Sequence, residues 1–228
     1  MKTEILSQGA FAHMKVIIEP GEKFVSEAGK MVRMSANIET DITTRAKSKG
    51  GIMGGLKRLI SGDSFFMSTY TASGSAGEVV LAPCLLGEVH IVEMDGSTKW
   101  LCAGGSYMAS SSDLEIETKF QGAKGFFTGE SLFYLEAEGA GQLVVNAFGA
   151  IEEIEIDGEY IVDTGHIVGF TSNLDYEITK AGGSWIQSFF AGEGLVMNFK
   201  GKGKLLLQSH NPDEFGKSLG PKLPPRRS

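Results

Sequence analysis

One phrase recurs three times along this chain. Pro20-Gly21-Glu22-Lys23-Phe24-Val25, Asp95-Gly96-Ser97-Thr98-Lys99-Trp100-Leu101 and Asp157-Gly158-Glu159-Tyr160-Ile161-Val162 each set a turn and a glycine before an apolar run. A second phrase follows each of them: Gly62-Asp63-Ser64-Phe65-Phe66, Gly129-Glu130-Ser131-Leu132-Phe133 and Gly192-Glu193-Gly194-Leu195-Val196. Internal repetition of this kind implies small units that bury their apolar faces by stacking on one another. It constrains architecture before any single residue is weighed, and it names no reaction.

The first unit is longer than the others by seven or eight residues between its turn glycine and its carboxylate. The excess is Lys49-Gly50-Gly51-Ile52-Met53-Gly54-Gly55-Leu56, a glycine-rich insert without a counterpart in the later units. An insertion in one copy of a repeat maps to a loop on one face, often a binding face. Arg45, Lys47, Lys49, Lys57 and Arg58 surround it, and no acidic residue lies between Asp41 and Asp63. A basic patch on a body of net charge −7 is a selective surface for a protein partner or an anionic surface. The overall acidity argues against general nucleic-acid binding, which needs net attraction to phosphates.

Strand patterning opens each unit, at Met14 to Ile18, Glu88 to Val92 and Ile151 to Ile156. In the third, Ile154 and Ile156 alternate with Glu153 and Glu155, so one face is apolar and the other wet. Met31 to Met34, Tyr107 to Ser110 and Ile167 to Phe170 continue the pattern. Each unit is expected to close with a hairpin: Phe65–Tyr70 against Glu78–Leu81, Leu132–Ala137 against Gln142–Asn146, and Leu195–Phe199 against Lys204–Gln208. Paired glycines occupy the three connections, as tight turns require. Helix is scarce: a short turn over Gly55 to Ile60, and a terminal helix over 212–219 with Asn211 as N-cap and Pro212 at its first position.

Units of about 1–86, 87–148 and 149–210 meet at Gly87 and Gly149 without linker composition, which predicts one body over 1–224 and a frayed tail at 225–228. Open strand edges in such units are covered by ring-like closure or by oligomerisation. We expect a homo-oligomer, with a trimer as the simplest form. A chain of 228 residues buries roughly 70% of its unfolded surface without metal or disulfide help. Cys84 and Cys102 lack metal-ligand spacing and read as reduced core or near-core thiols. The charged N-terminal octapeptide is no secretory signal, and the longest apolar run, Val79 to Leu86, is too short to span a bilayer. The expected location is the cytoplasm.

Candidate chemistry is thin. The glycine-rich insert suggests a phosphate loop, but Leu56 follows Gly55 where a nucleotide-binding lysine would stand, and Arg58 takes the place of the magnesium-binding hydroxyl. Asp63, Glu130 and Glu193 could meet at a local axis as a cation site, yet three carboxylates fall short of a full oxygen cage. His13, His90, His166 and His210 occupy unrelated positions in their units, and nothing groups them with either cysteine into a nucleophilic set. Trp100 and Trp185 read as core or interface anchors. No catalytic residue, cofactor or metal is assigned.

The run Gly50 to Arg58 with Gly62-Asp63-Ser64-Phe65-Phe66, and the closing Gly192-Glu193-Gly194-Leu195-Val196 with Leu207 to Pro212, resemble the motifs of the family named for altered inheritance of mitochondria, the mitochondrial biogenesis family. The resemblance covers residues 1 to 224. It implies an all-β fold of three tandem repeats with pseudo-threefold arrangement, sandwich-like or double-stranded-β-helix-like units similar to the tryptophan RNA-binding attenuation protein, and a short C-terminal helix. It also implies oligomerisation, and it brings no catalytic residues. The expected function is a non-enzymatic oligomeric β-repeat scaffold or interaction protein with its contact surface at the insert. The alternative is a small-ligand or metal-ion binding protein with a site between repeats or at a subunit axis.

Overall fold

The computed structural model describes residues 1–43, 66–120, 133–180 and 195–224. The first unit holds β1 (Lys2–Leu6), β2 (His13–Ile18), β3 (Lys23–Glu27), β4 (Met31–Met34), β5 (Ile38–Thr43), β6 (Met67–Ala72) and β7 (Gly77–Leu81). The second holds β8 (Val89–Asp95), β9 (Trp100–Ala103), β10 (Tyr107–Ser111), β11 (Glu115–Phe120), β12 (Phe133–Glu138) and β13 (Ala140–Asn146). The third has β14 (Ile151–Asp163), β15 (Ile167–Thr171), β16 (Asp175–Lys180) and β17 (Leu195–Gln208), followed by helix α1 (Pro212–Leu219). The fold is all-β, and its paired strands are antiparallel. Period-two burial drives it: in β2, Met14, Val16 and Ile18 are buried while the residues between them are half-exposed.

The repetition is one of strand pairing. In the first unit β7 lies between β2 and β4, and β6 lies between β3 and β5. In the second, β13 lies between β8 and β10, and β12 between β9 and β11. In the third, β14 and β17 are long enough to serve both sheets at once, with β15 and β16 pairing along the other side of β17. Even the bulge recurs, between Met31 and Arg33, Tyr107 and Ala109, and Ile167 and Gly169.

The expected closing hairpins do not form. β6 and β7 follow one another in sequence but pair in different sheets, as do β12 and β13, and β17 is a single strand across the expected turn. In the second and third units the glycines explain the difference. Gly139, Gly141 and Gly201 adopt φ of 119°, 146° and 111°, beyond the left-handed helical value near +57° that reverses a chain. Only a residue without Cβ adopts these angles freely, and there they carry the strand from one sheet into the next. Gly158, at φ 132°, does the same within β14, whereas Gly21 and Gly96, at 87° and 84°, make the turns that the repeated phrase predicts.

Two junctions unite the units. β10 pairs with β3, placing Ala109 opposite Ser26, and β15 pairs with β9, placing Gly169 opposite Cys102. The second sheet of each unit therefore runs on into the first sheet of the next, giving the orders β5-β6-β3-β10-β13-β8 and β11-β12-β9-β15-β17-β14. The first sheet of the first unit stands alone as β1-β2-β7-β4. Among the described residues β4 and β14 do not pair, so the two junctions leave these strands without a third equivalent one.

Each unit has its own core, closed by its neighbours. Met14, Val16, Ile18, Phe24, Tyr70 and Leu81 cluster in the first, where Met108 and Val144 of the second unit join them. Phe170, Met197, Phe199 and Leu205 form the third, with Leu101 and Tyr134 reaching in from the second. Helix α1 is capped by the Asn211 side chain, which accepts from the backbone N–H groups of Asp213 and Glu214. It buries no residue, and Phe215 lies with its ring 5.2 Å from that of Phe148. The helical turn expected at Gly55 to Ile60 lies outside the described residues. Among the described residues no helix is long and apolar enough to cross a membrane.

Candidate functional site

The sequence-predicted contact residues, Arg45, Lys47, Lys49, Gly50, Gly51, Gly54, Gly55, Lys57 and Arg58, lie outside the described residues, as do Asp63, Glu130 and Glu193. What the structure describes is where their segments attach. Thr43 of β5 is opposite Met67 of β6, Phe120 of β11 is opposite Phe133 of β12, and Lys180 of β16 is opposite Leu195 of β17. The three segments thus join equivalent strand ends in the three units, and the segment of the first unit is the longest.

A groove of about 930 Å³ lies between β8 and β14, at the boundary of the second and third units. Its walls follow from alternation. Glu153 and Glu155 point away from the buried Ile156, and Glu93 and Asp95 point away from Val92 and Met94. The Lys204 ammonium reaches Glu153 at 2.7 Å and Glu155 at 3.6 Å, and His90 Nε2 stands 3.6 Å from the other oxygen of Glu153. The hydrogen bond to Glu153, reinforced by that carboxylate's charge, holds Lys204 above the usual ammonium range. From the adjacent strand β13, Gln142 Nε2 donates to Glu93 at 2.6 Å. Asp95 is held below the usual carboxylate range by the Ser97 hydroxyl, which donates at 2.6 Å, and by the Ser97 backbone N–H at 2.8 Å.

The equivalent space between the first and second units is occupied. There β1 pairs along the outer edge of β2, from Lys2 opposite Ile17 to Leu6 opposite His13. It also crosses the boundary, where Thr3 Oγ1 donates to Gln142 Oε1 at 3.0 Å. β8 is the counterpart of β2 and, among the described residues, ends its sheet with no strand beyond it. The groove is thus the place where β1 would lie one unit further on. Glu93, Asp95, Glu153, Glu155 and Asp157 line it beside Lys202 and Lys204. Strand addition to an open edge takes affinity from main-chain hydrogen bonds and specificity from the flanking side chains. Among the described residues no three His, Cys, Asp or Glu side chains are placed to hold a metal ion.

The candidate nucleophiles lie apart. Cys102 is buried in the middle core, where desolvation pushes its thiol up to about 12, so it is a protonated core residue at neutral pH. Cys84 is exposed. His13 Nδ1 lies 3.3 Å from the Phe11 carbonyl, His166 Nδ1 lies 2.8 Å from the Gln208 carbonyl, and His210 bonds Ser209 and packs against the Phe148 ring. His166 and His210 thus help fix local chain crossings, whereas the His13 contact is with a residue two positions away. The groove itself was missed from sequence. Its signal was present in the outward carboxylates of β14, but alternation does not say which strand faces them.

Comparison with known proteins agrees with this architecture. The family model for mitochondrial biogenesis AIM24 matches residues 3–210. The uncharacterized protein M6_Spy0233 of Streptococcus pyogenes serotype M6 is 30% identical over 220 residues, covering 94% of this chain and 88% of that protein. The crystal structure of protein SPYM3_0169 from Streptococcus pyogenes aligns with a TM-score of 0.79 at 28% identity, covering 97% of this chain and 99% of that one. With a family match over nearly its whole length and the same fold in a relative, the chain belongs to the mitochondrial biogenesis AIM24 family.

Proposed function

We propose that this protein is a non-enzymatic, homo-oligomeric β-repeat scaffold that recruits a partner through the basic glycine-rich insert of its first unit, in the cytoplasm. The observation that carries the reading is the equivalence of the three segments that join β5 to β6, β11 to β12 and β16 to β17. One frame is repeated three times, and only one of these segments is expanded and basic. A feature grafted onto one copy of a common frame serves a contact that the frame itself does not need. The partner is a protein or an anionic surface, with the lysines and arginines of 45–58 supplying attraction. Replacing residues 49–58 by a short turn tests this in pull-downs from the native host. Loss of captured partners is the expected result, and an unchanged set removes the insert from the function.

A second reading, ligand binding between repeats, is favoured by the groove beside β8. The ligand suited to it is an extended lysine- or arginine-bearing peptide, because β1 fills the corresponding space one unit earlier and carboxylates line this one. Native mass spectrometry of protein purified from its host tests this reading: a bound peptide mass supports it, and a bare chain counts against it.

A further inference from the structure

The two unit boundaries differ by a few side chains at matched positions, and those side chains set what a strand added in the groove beside β8 would meet. Val79 lies between Val16 and Met34, Leu143 between Val92 and Ser110, and Leu205 between Ile154 and Phe170. Val16, Val92 and Ile154 are therefore equivalent. By the same registers Met14 corresponds to His90, Ile91 to Glu153, and Gln142 to Lys204.

In the first boundary β1 shows how the place is filled. Ile5 stands opposite Met14 and packs, as Ile91 does, against the first unit's core. Thr3 stands opposite Val16, and its hydroxyl donates to Gln142. Residues two apart in a strand share a face. Thr3 and Ile5 are thus the pair that read the neighbouring unit, while Lys2 and Glu4 are exposed.

In the second boundary the same two positions meet different chemistry. The residue opposite His90 meets Glu153 in place of Ile91. Glu153 Oε1 is held by Lys204, but Oε2 lies 3.6 Å from His90 Nε2, beyond hydrogen-bond length, and keeps its capacity to accept. The residue opposite Val92 meets Lys204 in place of Gln142. Of the three donors on the Lys204 ammonium, Glu153 takes one. Around this pair five carboxylates line the groove against two lysines, so the site as a whole attracts a cation.

We propose, resting on the ligand-binding reading of this groove, that it takes an extended segment of another protein in which Ser or Thr is followed two residues later by Lys or Arg. The segment pairs antiparallel along the outer edge of β8, as β1 does along β2. Its hydroxyl lies opposite Val92 and accepts from Lys204, and its basic side chain lies opposite His90 and donates to Glu153. Main-chain hydrogen bonds supply affinity, and these two side chains supply the selection. β1 of a second copy is a poor occupant, because it sets Ile5 against Glu153 and strips water from that carboxylate with nothing in return.

Titration of full-length protein with two peptides tests this: residues 1–7 of this chain, and the same peptide carrying Ile5→Arg. The Ile5→Arg peptide binds about tenfold more tightly, the gain expected from a hydrogen bond to a charged group. Amide-exchange protection on binding falls on residues 89–95 and not on 13–18. Glu153→Ile with Lys204→Gln gives the second boundary the side chains of the first and reverses the order of the two peptides. Glu153→Gln, a milder change, removes the preference, so the outcome does not hang on the folding of the double variant. Equal affinities for the native protein, or a preference that survives Glu153→Gln, overturn the proposal. A third peptide of the same composition, with Glu4→Arg and Ile5→Glu, separates the two readings. If it protects 89–95 as tightly as the Ile5→Arg peptide, the selection proposed here fails while peptide binding in the groove stands; if none of the three protects 89–95, both fail.

Discussion

Phe170 and Met34 occupy the same position in two units, and the same truncation at each has very different consequences. Phe170 lies in β15 at 0% exposure, with its ring set edge-on to Tyr134, Tyr176 and Phe199 at centroid distances of 5.4, 5.1 and 5.0 Å. Phe170→Ala removes a fully buried ring and its three aromatic partners at once. Burial and cavity terms together give a loss of about 3–5 kcal/mol, within which the ring pairs account for about 0.5–1.5 kcal/mol each. At about 2–4 °C per kcal/mol for a chain of this size, the melting temperature falls by roughly 6–20 °C. Met34→Ala, at a 41% exposed site on an unpaired edge, changes the single chain by no more than about 0.5 kcal/mol. Urea titration at dilutions where the chain is monomeric reads both values, and an unchanged slope shows that the denatured state is not what moved. Equal losses at the two positions would refute the reasoning, because Phe170 is buried against three rings while Met34 stands at an open edge.

The cysteines give a second set of expectations. A thiol reagent labels Cys84 alone in the native protein, and Cys102 reacts only after unfolding. Because burial raises the Cys102 thiol from 9.0 to about 12, its contribution to stability is complete below pH 9 and is lost as pH climbs toward 12. The slope is about 1.4 kcal/mol per pH unit. Cys102→Ala removes that slope, while the contribution of Tyr134, whose phenol burial also raises, stays common to both proteins; identical alkaline unfolding curves would contradict the burial of Cys102.

Much of the frame was legible in the amino-acid order, and the reasons differ from element to element. The opening strands declared themselves by alternation, as at Ile154 and Ile156, and the terminal helix by Asn211 and Pro212. The glycine pairs misled, because composition shows that a residue can adopt positive φ but not whether it takes +87° and turns or +132° and runs on. Asp157-Gly158 and Asp95-Gly96 are near-identical phrases with these different outcomes. Met31-Val32-Arg33-Met34 reads like its buried counterparts, since exposure at a strand edge depends on the neighbour and not on the strand. The groove beside β8 was hidden for the same reason: only the comparison with β1, paired along β2, reveals a vacant place in the third unit's boundary. The basic insert remains a reading of charge and length.

The central claim is that this chain carries three equivalent units, joined into one body by the pairing of β10 with β3 and of β15 with β9. Amide hydrogen exchange of dilute protein tests it most directly. The account predicts that residues 107–111 and 167–171, paired on both sides, exchange far more slowly than residues 31–34, which pair on one side among the described residues. Equal exchange in the three segments would contradict it.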